Sequence, residues 1–359
     1  SGVEAQSEAV WHQADKYNVA RICFVNKMDR IGADFYRTVA MINERLRAKA
    51  LPIQLPLSTE SLFRGVIDLV ENKAIAFPDS SNSMPVEEAI AESDKAVMAS
   101  YRQQLIEKAA ESDDQLMLMY LDGQDIPVSQ LKAAIRKLTI SNRVVPVLCG
   151  SALRGKGIQP LLDAIIDYLP SPLDTPPTHA SKVRGEGKIL CHANDDEPFS
   201  ALAFKTVSDP FMGRMTYMRV YSGKVNAGAQ ILNSTKGEKE RLGKLYIMHA
   251  DRREEVDYAD AGSIVATLGL KKTSTGNTLC ESTRPVLFEP MRFAEPVLSM
   301  AIEPKSKADQ DKLDDVLAKL TAEDPTFKTY HDQETGQTLI SGMGELHLEV
   351  LTERMFREF

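Results

Sequence analysis

The chain has 359 residues, and its 51 acidic residues outnumber its 43 Lys and Arg residues, which gives a formal net charge of −8. This length predicts two to three domains. The negative charge argues against a general, sequence-independent affinity for nucleic acid, although a local basic face is compatible with it. No apolar run reaches ~18 residues, so we expect no membrane-spanning helix and no membrane partner.

The cysteines and histidines show no spacing typical of a metal site. The four Cys residues are far apart without a Cys-x-x-Cys pair, and the six His residues are scattered. Free thiols in a reducing compartment are therefore the expected state. No charged and apolar leader opens the sequence, so we expect a protein that is not exported.

Residues 1–50 predict a helix, a strand, a loop and a second helix. The strand is the apolar run 20–25, and it ends at the polar motif Asn26-Lys27-Met28-Asp29. In the second helix apolar residues recur at about one-turn spacing, and Asp34 is placed to cap its first turn. That apolar stripe consists of Phe35, Val39, Ile42 and Leu46.

Residues 51–142 interrupt the short crossover that normally leads to the next parallel strand. Strand-like segments lie near 53–57 and 65–77, and charged helical stretches lie near 86–111 and 128–139. A structureless loop of this length would be improbable inside a compact domain. We therefore predict that 51–142 forms an inserted subdomain.

A second strand is predicted at 143–148, and Cys149-Gly150-Ser151-Ala152 follows it. The helix that comes next, within 158–169, has a strong apolar stripe. Four prolines, Pro170, Pro172, Pro176 and Pro177, then mark a linker that we place at 171–182. Residues 1–50 and 143–170 are thus predicted to form one α/β domain around the insert.

Residues 183–290 change character and predict a small β-barrel. Short β-branched and aromatic segments alternate there with Gly, Asn and Asp turns. The clearest of these segments are 200–207, 214–221, 244–250 and 263–270.

Residues 291–359 predict a third domain that mixes strands and helices. The pattern is a strand (297–303), a helix (307–323), two strands (327–332 and 337–341) and a final helix (345–358). This order is the beginning of a split βαβ, ferredoxin-like unit. Its fourth strand is expected after Phe359.

The two predicted parallel strands end in loops with the side chains needed to hold a guanine base. Ligands of open α/β sheets bind outside the carboxyl ends of the strands. The Asp29 carboxylate has two acceptor oxygens, and guanine presents its N1–H and its N2 amine side by side. Adenine lacks that amine and carries an acceptor at N1. Asp29 is therefore predicted to select guanine.

The neighbouring residues of both loops complete the predicted site. The Lys27 stem is suited to lie along the purine face while its ammonium stays in water. The Asn26 amide both donates and accepts, so it is suited to tie the two loops together. Ser151 and Ala152 form the second loop, where the Ala152 N–H is a candidate donor to guanine O6.

A phosphate-binding loop of the form G-x-x-x-x-G-K-[ST] is missing from the expected position. The segment 150–157 comes close, but Gly157 stands where a hydroxyl must bind Mg²⁺. If it were the phosphate loop, the protein would be a circularly permuted GTPase, with further α/β units downstream instead of a barrel. We favour the alternative that the phosphate-binding half of the domain precedes Ser1.

Long motifs along the chain resemble those of the elongation factor G family of translational GTPases. The N-terminal ones are Gly2-Val3-Glu4-Ala5-Gln6-Ser7-Glu8, Phe24-Val25-Asn26-Lys27-Met28-Asp29-Arg30 and Tyr168-Leu169-Pro170-Ser171-Pro172. Those of the barrel region are Gly213-Arg214-Met215-Thr216-Tyr217, Arg219-Val220-Tyr221-Ser222-Gly223 and His249-Ala250-Asp251-Arg252-Arg253-Glu254-Glu255-Val256. The C-terminal ones are Ile302-Glu303-Pro304-Lys305, Glu323-Asp324-Pro325-Thr326-Phe327 and Gly342-Met343-Gly344-Glu345-Leu346-His347-Leu348-Glu349.

The resemblance implies a multidomain fold with part of a P-loop GTPase domain and its insert, a translation-factor β-barrel, and a ferredoxin-like domain without its last strand. It implies that Asn26, Lys27, Asp29, Ser151 and Ala152 bind the base of GTP or GDP, with Mg²⁺ in the complete protein. No catalytic residue of the family maps onto this chain, so the chain alone is predicted to be inactive.

The implied function is GTP-driven movement of tRNA and mRNA through the ribosome. The implied partners are ribosomal RNA and ribosomal proteins, and the implied location is the cytoplasm, with an organelle matrix as the alternative. The complete protein is expected to be a monomer, whereas this chain is expected to self-associate or to have highly mobile termini. Two alternatives stay open, namely a non-catalytic ribosome-binding module and a paralogue that acts in ribosome recycling or tetracycline protection.

Overall fold

The computed structural model of the chain describes residues 2–59, 62–78, 84–209, 213–250, 252–304, 310–333 and 335–358. The chain divides into two units, Ser1–Pro170 and Ser171–Phe359. None of the helices in the described ranges is both long enough and apolar enough to cross a membrane.

The first unit alternates strands and helices around an inserted sheet. Its elements in chain order are α1 (Ala5–Lys16), β1 (Cys23–Val25), α2 (Phe35–Arg45), β2 (Ala50–Pro52), β3 (Gln54–Thr59), β4 (Leu62–Asp68), β5 (Lys73–Ala76), β6 (Val86–Glu88), α3 (Glu92–Ala110), α4 (Asp114–Leu121), α5 (Val128–Ile140), β7 (Val145–Cys149) and α6 (Ile158–Tyr168).

A three-stranded parallel sheet in the order β1-β7-β2 forms the centre of the α/β part. The sequence predicted two of these strands and missed β2, whose Ala50 pairs with Val145. Three residues that include a proline are too few to show strand periodicity, which explains the omission. Helix α2 begins as predicted, because the Asp34 side chain accepts a hydrogen bond from the Arg37 N–H at 2.9 Å.

The insert is a four-stranded antiparallel sheet, β3-β4-β5-β6, followed by the helices α3, α4 and α5. The strand-like segment predicted at 65–77 forms parts of two strands, because the chain turns between β4 and β5. Asp68 drives that turn, since its Oδ1 accepts from the N–H groups of Val70 and Glu71 at 2.8 Å each. The predicted helix 86–111 is also corrected, because it begins with strand β6, and helix α4 was not foreseen.

One apolar core joins the parallel sheet to the insert. Leu55 and Phe63 of the inserted sheet, Leu131 and Ile135 of α5, and Leu148 of β7 are all at most 2% exposed and belong to the same cluster. Helix α5 follows the prediction closely, and its buried face consists of Leu131, Ala134, Ile135, Leu138 and Thr139. The insert is therefore packed against the α/β part and not held by a tether alone.

The second unit contains the predicted all-β region and the predicted third domain. Its elements are β8 (Thr178–Lys182), β9 (Lys188–Cys191), β10 (Ser200–Asp209), β11 (Gly213–Ser222), β12 (Val225–Asn226), β13 (Gln230–Asn233), β14 (Glu238–Arg241), β15 (Leu245–His249), β16 (Arg252–Val256), β17 (Tyr258–Ala259), β18 (Ile264–Leu268), β19 (Asn277–Cys280), β20 (Val286–Phe288), β21 (Leu298–Ile302), α7 (Gln310–Glu323), β22 (Lys328–His331), β23 (Thr338–Gly342) and α8 (Glu345–Glu358).

The all-β region is built on an eight-stranded antiparallel sheet in the order β14-β13-β19-β10-β11-β18-β15-β16. The four predicted segments correspond to β10, β11, β15 and β18. Within the described ranges no ladder joins the end strands β14 and β16, so closure into a barrel stays a prediction. The predicted linker is corrected at its end, because Thr178–Lys182 forms β8 and pairs with β9 and β20.

The third domain has the predicted strand-helix-strand-strand-helix order, with its sheet arranged β21-β23-β22. Its core contains Leu320 of α7, Phe327, Ile340 of β23 and Leu348 of α8, all at most 1% exposed. The helix was predicted to begin at 307, and residues 307–309 lie outside the described residues.

We predict that the isolated chain self-associates. Strands β1 and β2 are edges of a short parallel sheet, and such edges recruit other chains. Helix α8 adds an exposed apolar strip, since Leu346 and Val350 are 73% and 47% exposed and lie one turn apart. Light scattering should show a mass that rises with concentration and falls in Leu346→Glu/Val350→Glu.

Leu118→Glu is the matched control, because Leu118 of α4 is 62% exposed on the first unit. A strict monomer at all soluble concentrations would contradict the prediction of self-association. Equal masses for the control and the double variant would show that helix α8 does not contribute to the association.

Candidate guanine-binding site

The two loops singled out by the sequence lie next to each other at one edge of the parallel sheet. Strands β1 and β7 pair with Val25 opposite Cys149, so both end at the same level. The pairing continues beyond the strands, because the Gly150 N–H donates to Val25 O at 3.0 Å and the Met28 N–H donates to Gly150 O at 3.1 Å. The carboxyl ends of the strands therefore bring 26–29 and 150–154 together.

Asn26 ties the loops, as the sequence predicted. Its Oδ1 accepts a hydrogen bond from the Ala152 N–H at 2.9 Å and another from the Lys27 N–H at 2.8 Å. The first bond crosses between the loops and the second fixes the turn that follows β1. The Ala152 N–H is thus engaged by Asn26 in this structure, so its predicted bond to guanine O6 requires that this donor be shared or released.

Lys27 has a backbone conformation that is unusual for a residue with a side chain. Its φ is +63°, in the left-handed region. The Arg30 N–H donates to Lys27 O at 3.1 Å and closes the turn around it. Such strain is concentrated at functional sites, where the surrounding contacts enforce it. Lys27 is exposed, which leaves its stem available to a planar ligand.

Asp29 is held in its ionised form. The Ser151 hydroxyl is the largest cause that lowers the pKa of Asp29, and the Arg154 and Arg30 guanidinium groups lower it further against the effect of partial burial. Ser151 Oγ has no hydrogen-bond partner with standard geometry among the described residues. Its effect is therefore that of a nearby dipole rather than of a well-formed hydrogen bond.

Arg154 is a member of the site that the sequence did not reveal. Its Nε lies 3.8 Å from Asp29 Oδ2. The 3₁₀ turn Ala152–Arg154 carries Arg154 back toward the first loop, and Gly155 closes this turn with a φ of +68°. Gly155 was the one indication of this turn in the sequence, because glycine readily adopts a positive φ where the chain reverses.

The segment 150–157 does not have the structure of a phosphate-binding loop. Ser151 and Lys156 form a two-way backbone bridge, with N···O distances of 2.9 and 3.0 Å. Lys156 is 5% exposed, and its Nζ donates to Phe63 O of the insert at 3.2 Å. A Cβ on Gly157 would lie 2.7 Å from Cys149 O, so a Ser or Thr does not fit there. These contacts argue against the circularly permuted arrangement.

The Asp29 carboxylate is accessible, as the predicted contact with a guanine base requires. Asp29 offers two ionised acceptor oxygens, and its side chain is 25% exposed. In the part of the chain that the structure describes, no group of three or more His, Cys, Asp or Glu side chains is arranged to hold a metal ion.

Three family models match the chain. The elongation factor Tu GTP binding domain matches residues 1–171. Elongation factor G domain 2 matches residues 198–282, and elongation factor G domain III matches residues 293–359. The first match contains both loops of the candidate site.

Individual relatives agree with these models. Elongation factor G from Dehalococcoides mccartyi strain 195 is 52% identical over 360 residues, which cover 100% of this chain and 52% of that protein. Elongation factor G from strain CBDB1 of the same species is 53% identical over 362 residues, with the same coverage. The chain thus spans about half the length of the curated relatives it matches.

A solved structure has a similar fold. It is a crystal structure of a protein from Thermus thermophilus, with a TM-score of 0.82 and 29% sequence identity. The similarity covers 99% of this chain and 50% of that one.

Asn26→Ala is predicted to destabilise the first unit by about 1–2 kcal/mol, because two backbone N–H groups lose their shared acceptor. Urea denaturation followed by circular dichroism measures the change. Asn26→Asp keeps an acceptor oxygen and should retain most of the stability. Asn226→Ala, at an exposed position in β12, is the control. Equal stability of Asn26→Ala and this control would show that the tie between the loops contributes nothing.

Proposed function

Because the chain belongs to the elongation factor G family, we propose that it is part of a translation factor that uses GTP to drive tRNA and mRNA through the ribosome. The observation that carries the proposal is the hydrogen bond between Asn26 Oδ1 and the Ala152 N–H. This bond holds two loops from separate strands in one arrangement, with the ionised Asp29 exposed between them.

Within this proposal Asp29 distinguishes guanine from adenine. Both of its oxygens accept, one from N1–H and the other from the N2 amine, and both bonds are charge-assisted. Adenine would place its N1 lone pair against the carboxylate and would leave the other oxygen without a donor. A site built to bond a polar group rejects an analogue that lacks it, because the polar group of the site is left unpaired.

Lys27, Ser151 and Ala152 support the same contact. The exposed Lys27 stem covers one face of the purine ring. The Ser151 hydroxyl of the second loop lowers the pKa of Asp29. Ala152 connects the second loop to Asn26. These are roles in binding and orientation, and no residue of the chain is assigned to the hydrolytic step.

The nucleotide is GTP or GDP, and Mg²⁺ and the phosphates are bound in the complete protein by residues other than those described. The partners are the ribosome, through its RNA and proteins, and GTP. The location is the cytoplasm or an organelle matrix, and the complete protein is a monomer. A non-catalytic ribosome-binding module would not require an assembled base-reading site, which favours the GTPase over that alternative.

The isolated chain should bind GDP and GTP no better than about millimolar, equivalent to roughly −4 kcal/mol. It supplies contacts to the base, whereas phosphate and Mg²⁺ contacts provide much of the affinity in such sites. Isothermal titration calorimetry at neutral pH measures this affinity. Micromolar binding of GDP would show that the chain also holds the phosphates, contrary to the proposal.

In the complete protein, Asp29→Asn should weaken GTP binding by about 2–4 kcal/mol and favour xanthosine triphosphate, because the new amide donates to the C2 oxygen of xanthine. Competition binding with both nucleotides gives the two affinities. The matched control is Asp122→Asn, at an exposed position after α4. Unchanged GTP affinity, or no gain for the xanthine nucleotide, would refute the assignment of Asp29.

A further inference from the structure

The first unit contains a second polar site, separate from the guanine loops. A cavity of about 350 Å³ lies between the inserted strands β3–β5 and the helices α5 and α6. Its volume falls within the range of small-molecule sites. Part of its wall is apolar, from Ile53, Val70 and Leu148, and the rest is polar and charged.

Gln54 gives this cavity a hydrogen-bond acceptor that is not satisfied. Gln54 lines the cavity and is only 2% exposed, and its Oε1 has no hydrogen-bond partner among the described residues. A buried polar atom left without a partner costs about 1–3 kcal/mol. The usual reasons for retaining one are a bound ligand or an ordered water.

Asp68 lies directly across the hairpin from Gln54 and lines the same cavity. The two residues are paired in the register of β3 and β4, so their side chains share one face of the sheet. Asp68 Oδ1 is used by the turn between β4 and β5, whereas Oδ2 accepts no hydrogen bond from the described residues. Burial, with the nearby Glu71 carboxylate, raises the pKa of Asp68.

The cavity lining carries an excess of negative charge. Its carboxylates are Asp68, Glu71, Asp163 and Asp167, and its ammonium groups are Lys73 and Lys132, which leaves two negative charges. Lys132 lies 2.9 Å from Glu71 Oε1 and 3.0 Å from Asp167 Oδ2, and Lys73 lies 2.7 Å from Glu71 Oε2, so the two ammonium groups offset these two carboxylates. The uncompensated charge is therefore at Asp68 and Asp163.

Tyr168 provides a further polar group. It is 3% exposed, and burial raises the pKa of its phenol, with Asp68, Asp167 and Glu71 raising it further. Its hydroxyl is thus held neutral in the field of these carboxylates and is able to accept or donate a hydrogen bond.

We propose that this cavity binds a small organic cation, whose ammonium group donates to Gln54 Oε1 and Asp68 Oδ2 while its aliphatic part contacts Ile53, Val70 and Leu148. A compact ammonium group has three donors, which suits two neighbouring acceptors and a phenol oxygen. Mg²⁺ is less suited, because it requires near-octahedral oxygen coordination. The proposal is independent of nucleotide and ribosome binding.

The test uses putrescine as the probe and the 359-residue chain without nucleotide. Isothermal titration calorimetry should show saturable binding with one site per chain, and thermal unfolding of the first unit should shift upward. Asp68→Asn keeps the turn acceptor but removes the charge, and it should weaken binding about tenfold or more. Gln54→Leu keeps a similar side-chain volume but removes the amide with its unsatisfied acceptor, and it should also weaken binding.

Glu254→Gln is the matched control, since it removes one exposed carboxylate from β16 in the second unit. It should bind putrescine as the parent chain does. If Asp68→Asn fails to fold by circular dichroism, Gln54→Leu decides the outcome. The proposal is overturned if binding is not saturable, if the folded variants bind like the control, or if MgCl₂ at equal ionic strength displaces putrescine as effectively as a diamine.

Discussion

The parallel pairing of β1 with β7 is the constraint on which the candidate site depends. Because Val25 lies opposite Cys149, the two strands end together, and backbone bonds through Gly150 and Met28 extend the pairing into both loops. Asn26 then connects the loops by one side chain. Loss of this register would move Asp29 away from Ser151 and Arg154. These two residues lower the pKa of Asp29, so that effect would be lost.

The insert makes that pairing more secure, because its sheet, α5 and the central strand β7 share one apolar core. The Lys156 ammonium donates to Phe63 O of the insert, so the second loop is also anchored to the insert. The cavity lined by Gln54, Asp68 and Tyr168 lies at the same junction. A ligand there would stabilise the contact between the insert and the α/β part, without contacting the base-reading loops.

The sequence predicted the features that depend on local pattern. The end of β1 and the Asp34 cap follow from short-range chemistry, and the tie made by Asn26 follows from a polar amide placed at a strand end; the structure agrees with each. The order of elements in the third domain was predicted because the apolar periodicity of its helices extends over many residues. The affiliation with elongation factor G rested on linked motifs, which the comparisons confirm.

The features that the sequence missed depend on distant partners or on very short elements. Strand β2 has three residues, and only pairing with β7 defines it. Arg154 reaches Asp29 because a turn reverses the chain at Gly155. The strand predicted at 65–77 is divided by the hydrogen bonds of Asp68, which a continuous apolar run conceals. The cavity brings Tyr168 close to Asp68, which lies far earlier in the chain, and no local pattern encodes that contact.

The central claim is that two loops, fixed by β1 and β7, recognise guanine. The most direct measurement is a ¹⁵N-TROSY titration of the chain with guanosine and, separately, with adenosine. The account predicts amide shifts confined to 26–30 and 150–154 with guanosine, and no comparable shifts with adenosine. Equal responses to the two nucleosides, or guanosine shifts located elsewhere in the chain, would contradict it.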